Sequence, residues 1–215
     1  MIPANMITNM NFPASLSVLS FLGACAFSTF SVLAIVVACF IGRFKLARKV
    51  MASIGAVCVV YLALLGCFSG VSRDRLLARG EEKYFCEIDC HLAYSLVDVT
   101  EAAAAGSTEY TLALRTRFDE TTISPQRPKD RPLTPNPRDI RLADSSGEMY
   151  EATVVGGSAL ATPLKPGESY VTQLRFLIPA GVRPVRLLIT SKGWPEHFLI
   201  GDELSPWHGR TWFAL

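Results

Sequence analysis

Charge is missing from the start of the chain: no Asp, Glu, Lys, Arg or His occurs between Met1 and Gly42, and none between Val50 and Val71. A proton relay or ion path through apolar segments needs such side chains, so these stretches do not make a transporter by themselves. Histidine is scarce, with three in 215 residues, and His91, His197 and His208 all follow the second apolar stretch. Neither a glycine-rich phosphate loop nor a nucleophile, base and acid set is visible, which argues against an enzyme. A basic surface for nucleic acid is also missing. Of the 21 Lys and Arg, four lie between Arg43 and Lys49, leaving 17 against 19 Asp and Glu, so no nucleic-acid partner is expected.

What is present is sharply divided. Ala14 to Ile41 is a run of 28 mostly apolar residues and Val50 to Val71 adds 22, each long enough to cross a bilayer as a helix. Arg43-Phe-Lys-Leu-Ala-Arg-Lys49 separates them. Basic residues next to membrane helices stay cytoplasmic, which predicts a multi-pass inner-membrane protein with the basic loop inside and both termini outside. Small residues at Ser20, Ala24 and Ser28, at Ala34, Ala38 and Gly42, and at Ala52 and Ala56 suit a close helix-to-helix contact. The lipid bilayer is therefore one expected partner. A rival signal is Lys45 to Cys67, similar to a lipoprotein signal ending Leu64-Leu65-Gly66-Cys67, although Leu65 is bulky for that pattern and the segment is internal.

The expected organisation is a tail and transmembrane hairpin over 1–71 (helices about 14–41 and 50–71), a solvated juxtamembrane linker over 72–83, and an extracytoplasmic domain over 84–215. Met1 to Pro13 reads as a short external tail. From Tyr84 the apolar period changes to two: Leu92, Tyr94 and Leu96 share one face, as do Leu112 and Leu114, as in half-buried strands. Thr121 to Pro137 holds Pro125, Pro128, Pro132, Pro135 and Pro137, which excludes a central strand there. Arg138–Ala143 and Glu148–Thr153 flank the turn Asp144-Ser-Ser-Gly147, Tyr170–Ile178 and Val182–Thr190 flank Pro179-Ala-Gly181, and Arg210–Leu215 suits a closing strand. Such short strands with frequent turns predict a β-sandwich. The fold class is thus α+β, a transmembrane two-helix hairpin followed by an all-β immunoglobulin-like sandwich.

Arg138-Asp-Ile-Arg-Leu-Ala-Asp-Ser-Ser-Gly-Glu-Met-Tyr150, Leu164-Lys-Pro-Gly-Glu168 and Leu174-Arg-Phe-Leu-Ile-Pro179 resemble the telokin-like immunoglobulin-type domain of bacterial exported proteins. The resemblance covers roughly Asp98 to Ile189 and implies a fold, not a chemistry. The chain also looks like two-helix bacterial membrane proteins that pair a Cys-acid-Cys-His start with a Gly-Asp-Glu…His end; no catalytic residue carries over from either.

Two constellations are candidate sites. Cys86-Glu-Ile-Asp-Cys90-His91 faces an oxidising compartment if the topology holds, and is either a disulfide or a copper or zinc site using Cys86, Cys90 and His91, with Met149 as a possible axial ligand. A bridge requires a turn at Glu87-Ile-Asp89, because residues four apart on an extended strand lie about 13 Å apart. Two helices before an outer β-domain with Cys-x3-Cys are similar to subunit II of haem-copper oxidases, but there the cysteines come late in the domain. The spacing also departs by one residue from the c-type haem pattern Cys-x2-Cys-His. The second constellation is Trp194, His197, Trp207, His208 and Trp212 around Asp202-Glu203, a partner-binding surface or an aromatic plug for the open end of the sandwich. Adjacent carboxylates on a strand face opposite ways, which is poor geometry for a hydrolase. The expected function is a non-catalytic accessory or structural subunit contacting another envelope protein. The alternative is a copper carrier.

Overall fold

In the computed structural model, which describes residues 6–86, 89–123, 128 and 130–215, two long apolar helices lead into a β-sandwich. Helix α1 (Ala14–Phe40) starts after Pro13 and ends in a left-handed glycine cap. Gly42 has φ +71°, its N–H donates to the Cys39 carbonyl at 3.1 Å, and the Arg43 N–H donates to the Ala38 carbonyl at 2.7 Å. Glycine adopts that backbone at no steric cost, so the chain reverses within a few residues. Helix α2 (Phe44–Val71) therefore begins six residues earlier than Val50. The basic residues that sequence alone placed in a loop occupy its N-cap (Arg43) and first two turns (Lys45, Arg48 and Lys49), because Lys, Leu, Ala and Arg are good helix formers with nothing among them to stop the helix.

The contact between the helices follows a 3.5-residue period. On α1 it runs through Ser17, Ala24, Ser31 and Ala38; on α2 through Ala47, Ile54, Tyr61 and Leu65. A 3.5-residue period is the one that left-handed helix pairs use. Ala24, Ser28 and Ala38 lie on it as expected, whereas Ser20, Ala34, Ala52 and Ala56 are exposed, so four-residue spacing of small residues misplaced the α2 face.

The strands are β1 (Ile7–Thr8), β2 (Arg75–Leu77), β3 (Lys83–Phe85), β4 (Leu92–Ala104), β5 (Ser107–Phe118), β6 (Arg138–Asp144), β7 (Met149–Glu151), β8 (Thr153–Gly157), β9 (Ser169–Pro179), β10 (Pro184–Ser191) and β11 (Thr211–Ala214). They form two sheets, β1-β3-β4-β5-β9-β8 and β2-β11-β10-β6-β7. Leu96, Leu112, Leu114, Phe118 and Phe176 from the first meet Leu142, Leu187, Ile189 and Phe213 from the second, all fully buried. The period-two positions that define this core are those an alternating strand turns to one side.

Two segments differ from the sequence expectation. The tail before Pro13 contributes β1, which pairs parallel with β3 through Ile7–Lys83 and Thr8–Tyr84. The linker contributes β2, parallel to β11, with Leu77 in the core. Neither is free: each adds an edge strand, and β2 covers an open edge of its sheet. In the Pro-rich loop Leu133 and Leu164 exchange backbone hydrogen bonds of 2.9 and 3.0 Å. Pro125, and Glu87 and Ile88 of the predicted cysteine turn, lie outside the described residues.

The two modules meet where the chain leaving α2 crosses the chain entering β11. A Cβ at Gly209 would collide with the Arg73 backbone. Gly209→Ala is therefore expected to destabilise the protein by about 1–3 kcal/mol, as overpacking does, measured as a lowered midpoint in chemical denaturation; an unchanged midpoint would show that this crossing yields freely.

Candidate functional site

The helix-proximal end of the sandwich holds a buried polar network assembled from four separate segments. Lys83 opens β3 with its side chain fully buried. Its Nζ lies 2.8 Å from Glu203 Oε2 and 2.7 Å from Oε1, and donates to the carbonyls of Ile189 at 2.6 Å and Thr211 at 3.3 Å. The ammonium thus joins the first sheet to β10 and β11 of the second. Burial pushes the Lys83 amine below its ordinary range, and the Glu203 carboxylate opposes that shift; paired charges with full hydrogen bonding are the form in which a buried ion is tolerated.

Asn9, from the N-terminal segment, is the second junction. Its Nδ2 donates to Asp202 Oδ2 at 3.0 Å, its Oδ1 accepts from the Cys86 N–H at 2.8 Å, and its carbonyl accepts from the Glu203 N–H at 2.9 Å. Asp202 also accepts from the Leu204 N–H at 2.8 Å. Burial raises the Asp202 carboxyl to about 8 despite that hydrogen bond, with the Glu203 charge adding to the effect. Burial thus favours the protonated form of Asp202. Sequence reasoning placed Asp202 and Glu203 on opposite strand faces; a turn instead buries both, one facing Asn9 and the other Lys83.

Cys86 and Cys90 are joined by a disulfide whose Cα atoms lie 4.2 Å apart. His91 is buried, with Nε2 2.9 Å from Asp89 Oδ2, Nδ1 2.7 Å from Thr122 Oγ1, and its ring stacked on Phe118 at 5.5 Å. Met149 is not brought to this site: it packs with Ala143, Leu188 and Trp212 on the outer face of the second sheet. Among the described residues no group of three or more His, Cys, Asp or Glu is arranged to hold a metal ion.

The tryptophans do not converge. Trp212 is buried under the Arg186 guanidinium at 3.9 Å, while Trp194 and Trp207 are 69% and 84% exposed. His197 Nδ1 lies 2.9 Å from the Leu204 carbonyl. His208 Nδ1 lies 3.1 Å from Ser72 Oγ, at the end of α2, and burial lowers its pKa. A cleft of about 700 Å³ opens beside this histidine, lined by Thr8, Asn11, Arg73, Arg75 and Glu203 among others. The residues that sequence reasoning missed are Asn9 and Lys83. Asn9 sat in an unpatterned tail and Lys83 among solvated charges; no local signal marks either, since both acquire partners far along the chain.

A second polar cluster secures the strap before β3. Arg117 donates to both Glu82 oxygens, at 2.8 and 2.6 Å, and to the Tyr84 hydroxyl, which donates to Asp119 at 2.6 Å. Burial raises the Asp119 carboxyl, but hydrogen bonds from Tyr84, Thr121 and Arg117 outweigh it and hold the group at about 2.

Fold and site together define a helical-hairpin protein bearing a disulfide-containing β-sandwich. No family model and no curated protein matches the chain. Among solved structures it is similar to the secreted protein MPT63 of Mycobacterium tuberculosis, with 10% identity, 66% of this chain and 98% of that one covered, and a TM-score of 0.44. It is also similar to an ApaG protein of Pseudomonas aeruginosa, with 15% identity, 47% and 94% covered, and a TM-score of 0.26. Likenesses at this level carry no argument about activity.

Two outcomes test the network. Lys83→Met strands Glu203 and is expected to cost about 3–5 kcal/mol in denaturant unfolding, most of it recovered by adding Glu203→Leu, because the cost is that of an unpaired buried charge; a double variant as unstable as the single would assign the loss to packing. Asp202 is protonated in the fold and ionised in the unfolded chain between 3.8 and about 8, so the folded state binds more protons and stability falls as pH rises across that window. Asp202→Asn should remove that slope, gaining on the native protein by on the order of 1 kcal/mol per pH unit; parallel stability curves from pH 5 to 8 would rule the buried acid out.

Proposed function

We propose that this chain is an inner-membrane-anchored protein whose immunoglobulin-type sandwich faces away from the cytoplasm and acts by binding, as an accessory or structural subunit for another envelope protein, without catalysis. The observation that carries the reading is the uncovered apolar surface of the hairpin. Leu19, Leu22, Phe30, Leu33, Val59 and Leu62 are all more than half exposed, and the sandwich reaches along the helices to Phe21 and Tyr61. A contiguous apolar surface of this size is a burden in water. Two helices of 27 and 28 residues match the thickness of a bilayer.

The charges agree with an orientation. Arg43, Lys45, Arg48 and Lys49 cluster at the hairpin tip, opposite the sandwich, and such residues remain on the cytoplasmic side. A disulfide at Cys86–Cys90 suits an oxidising compartment. The buried ionisable groups Lys83, Glu203 and Asp202 have partners within the fold: Lys83 pairs with Glu203, and the Asn9 amide donates to Asp202. Such pairing favours a structural role over acid–base chemistry.

A reporter enzyme that is active only outside the cytoplasm, fused after Leu215, is expected to be active, and one inserted between Gly42 and Arg43 inactive. Activity from a cytoplasm-only reporter at Leu215 would reverse the orientation, and recovery of the native chain in the soluble fraction would remove the anchor.

A further inference from the structure

We infer that the turn carrying Trp194 and Phe198 is a third membrane contact, an aromatic wedge that enters the outer leaflet beside the two helices and fixes the sandwich against the bilayer surface. The inference rests on the membrane reading above.

The turn is seated on the helices. Tyr61 of α2 donates its hydroxyl to the Phe198 carbonyl at 2.7 Å, and the Phe198 ring stacks on Phe21 of α1 at 6.5 Å. Behind it Leu199 is buried with Ala14, Val18 and Phe21. Trp194 stands edge-on to Phe198 at 5.9 Å. Both rings nevertheless face outward, with Trp194 69% and Phe198 49% exposed. Large aromatic surfaces are thus held open at the flank of an apolar helix pair.

Depth decides what covers them. Phe21 lies 19 residues before the end of α1 at Phe40, and Tyr61 lies 17 residues after the start of α2 at Phe44. At a rise of about 1.5 Å per residue these are about 28 and 25 Å from the hairpin tip. A hydrocarbon core of about 30 Å that begins at the tip reaches both residues. Beginning the core further along, so that Arg48 and Lys49 lie below it, moves its outer boundary past them, and tilting the hairpin does the same. Every placement of the helices therefore brings lipid to the level of Phe198. Tryptophan beside its own polar loop is the residue type that this boundary favours, and His197 keeps its Nδ1 turned back on the Leu204 carbonyl at 2.9 Å.

The occupant of this surface is the outer leaflet, by continuity with the helices on which the turn sits. The wedge would add a lipid contact to a junction already tied to the sandwich at both ends of the hairpin. The orientation of the sandwich would then present its opposite end to a partner.

The test uses the full-length protein in phosphatidylcholine vesicles containing lipid brominated near the top of the acyl chain. Variants retaining Trp194 alone or Trp212 alone are made by Trp→Phe replacement. Trp194 emission should be quenched at least about twofold more than that of Trp212, which is buried under Arg186 on the outer face of the second sheet. Should a double replacement not fold, Trp194→Phe alone must abolish most of the quenchable emission of the native protein that does not come from Trp207, measured against Trp207→Phe. In parallel, Cys25 and Cys58, which are exposed on the helices, are probed with a membrane-impermeant maleimide. Shielded cysteines with Trp194 quenched no more than Trp212 would overturn the wedge and leave the anchor standing. Cysteines labelled in intact vesicles would overturn the membrane reading and the wedge with it.

Discussion

A buried ammonium holds this sandwich together at the end where it meets the helices. Lys83 reaches across the core from β3 to Glu203 and to the carbonyls of β10 and β11. Lysine has three donors and a long stem, so one side chain from the first sheet reaches the Glu203 carboxylate and two carbonyls of the second. Its worth depends on completeness, since a half-satisfied buried ion costs more than an apolar residue in the same place. Around it the chain has placed the N-terminal segment, the disulfide and the turn at Asp202, all coupled through Asn9.

That coupling links the helical hairpin and the sandwich in both directions. The segment before α1 is a strand of the first sheet, and the segment after α2 is a strand of the second. The hairpin is thus tied at each end to a different sheet. Asn11 Nδ2 donates to the Phe68 carbonyl at 2.7 Å, and Phe12 packs edge-on against Phe68 at 4.7 Å, fastening the two ends to each other. This makes the junction stiff in a way that a charged, solvated linker would not be.

The cysteine pair belongs to the same junction. With Cys86 bonded through its N–H to Asn9 and through its sulfur to Cys90, the stretch after β3 is held close to the N-terminal segment. His91 then leads directly into β4, capped between Asp89 and Thr122. A short closed loop constrains the unfolded chain only modestly, so its main contribution is local: it ties the residue after β3 to the residue before His91.

The sequence by itself determined what depends on local pattern. Long uncharged runs specify two apolar helices, each long enough to cross a bilayer. Alternation at Leu92, Tyr94, Leu96, Leu112 and Leu114 specifies strands with one buried face, and all five are buried in the core. The tertiary structure alone decided everything that rests on a distant partner. Strands of two and three residues such as β1 and β2 contain too few positions to show a period, and exist because a neighbouring strand offers them hydrogen bonds. Lys83 read as one solvated charge among several, because burial of an ion is decided by whether Glu203, 120 residues away, arrives to pair with it. Trp194, Trp207 and Trp212 looked alike in sequence, yet one is buried under an arginine and two face outward. Composition gives a side chain its chemistry, and only the assembled surface gives it an environment.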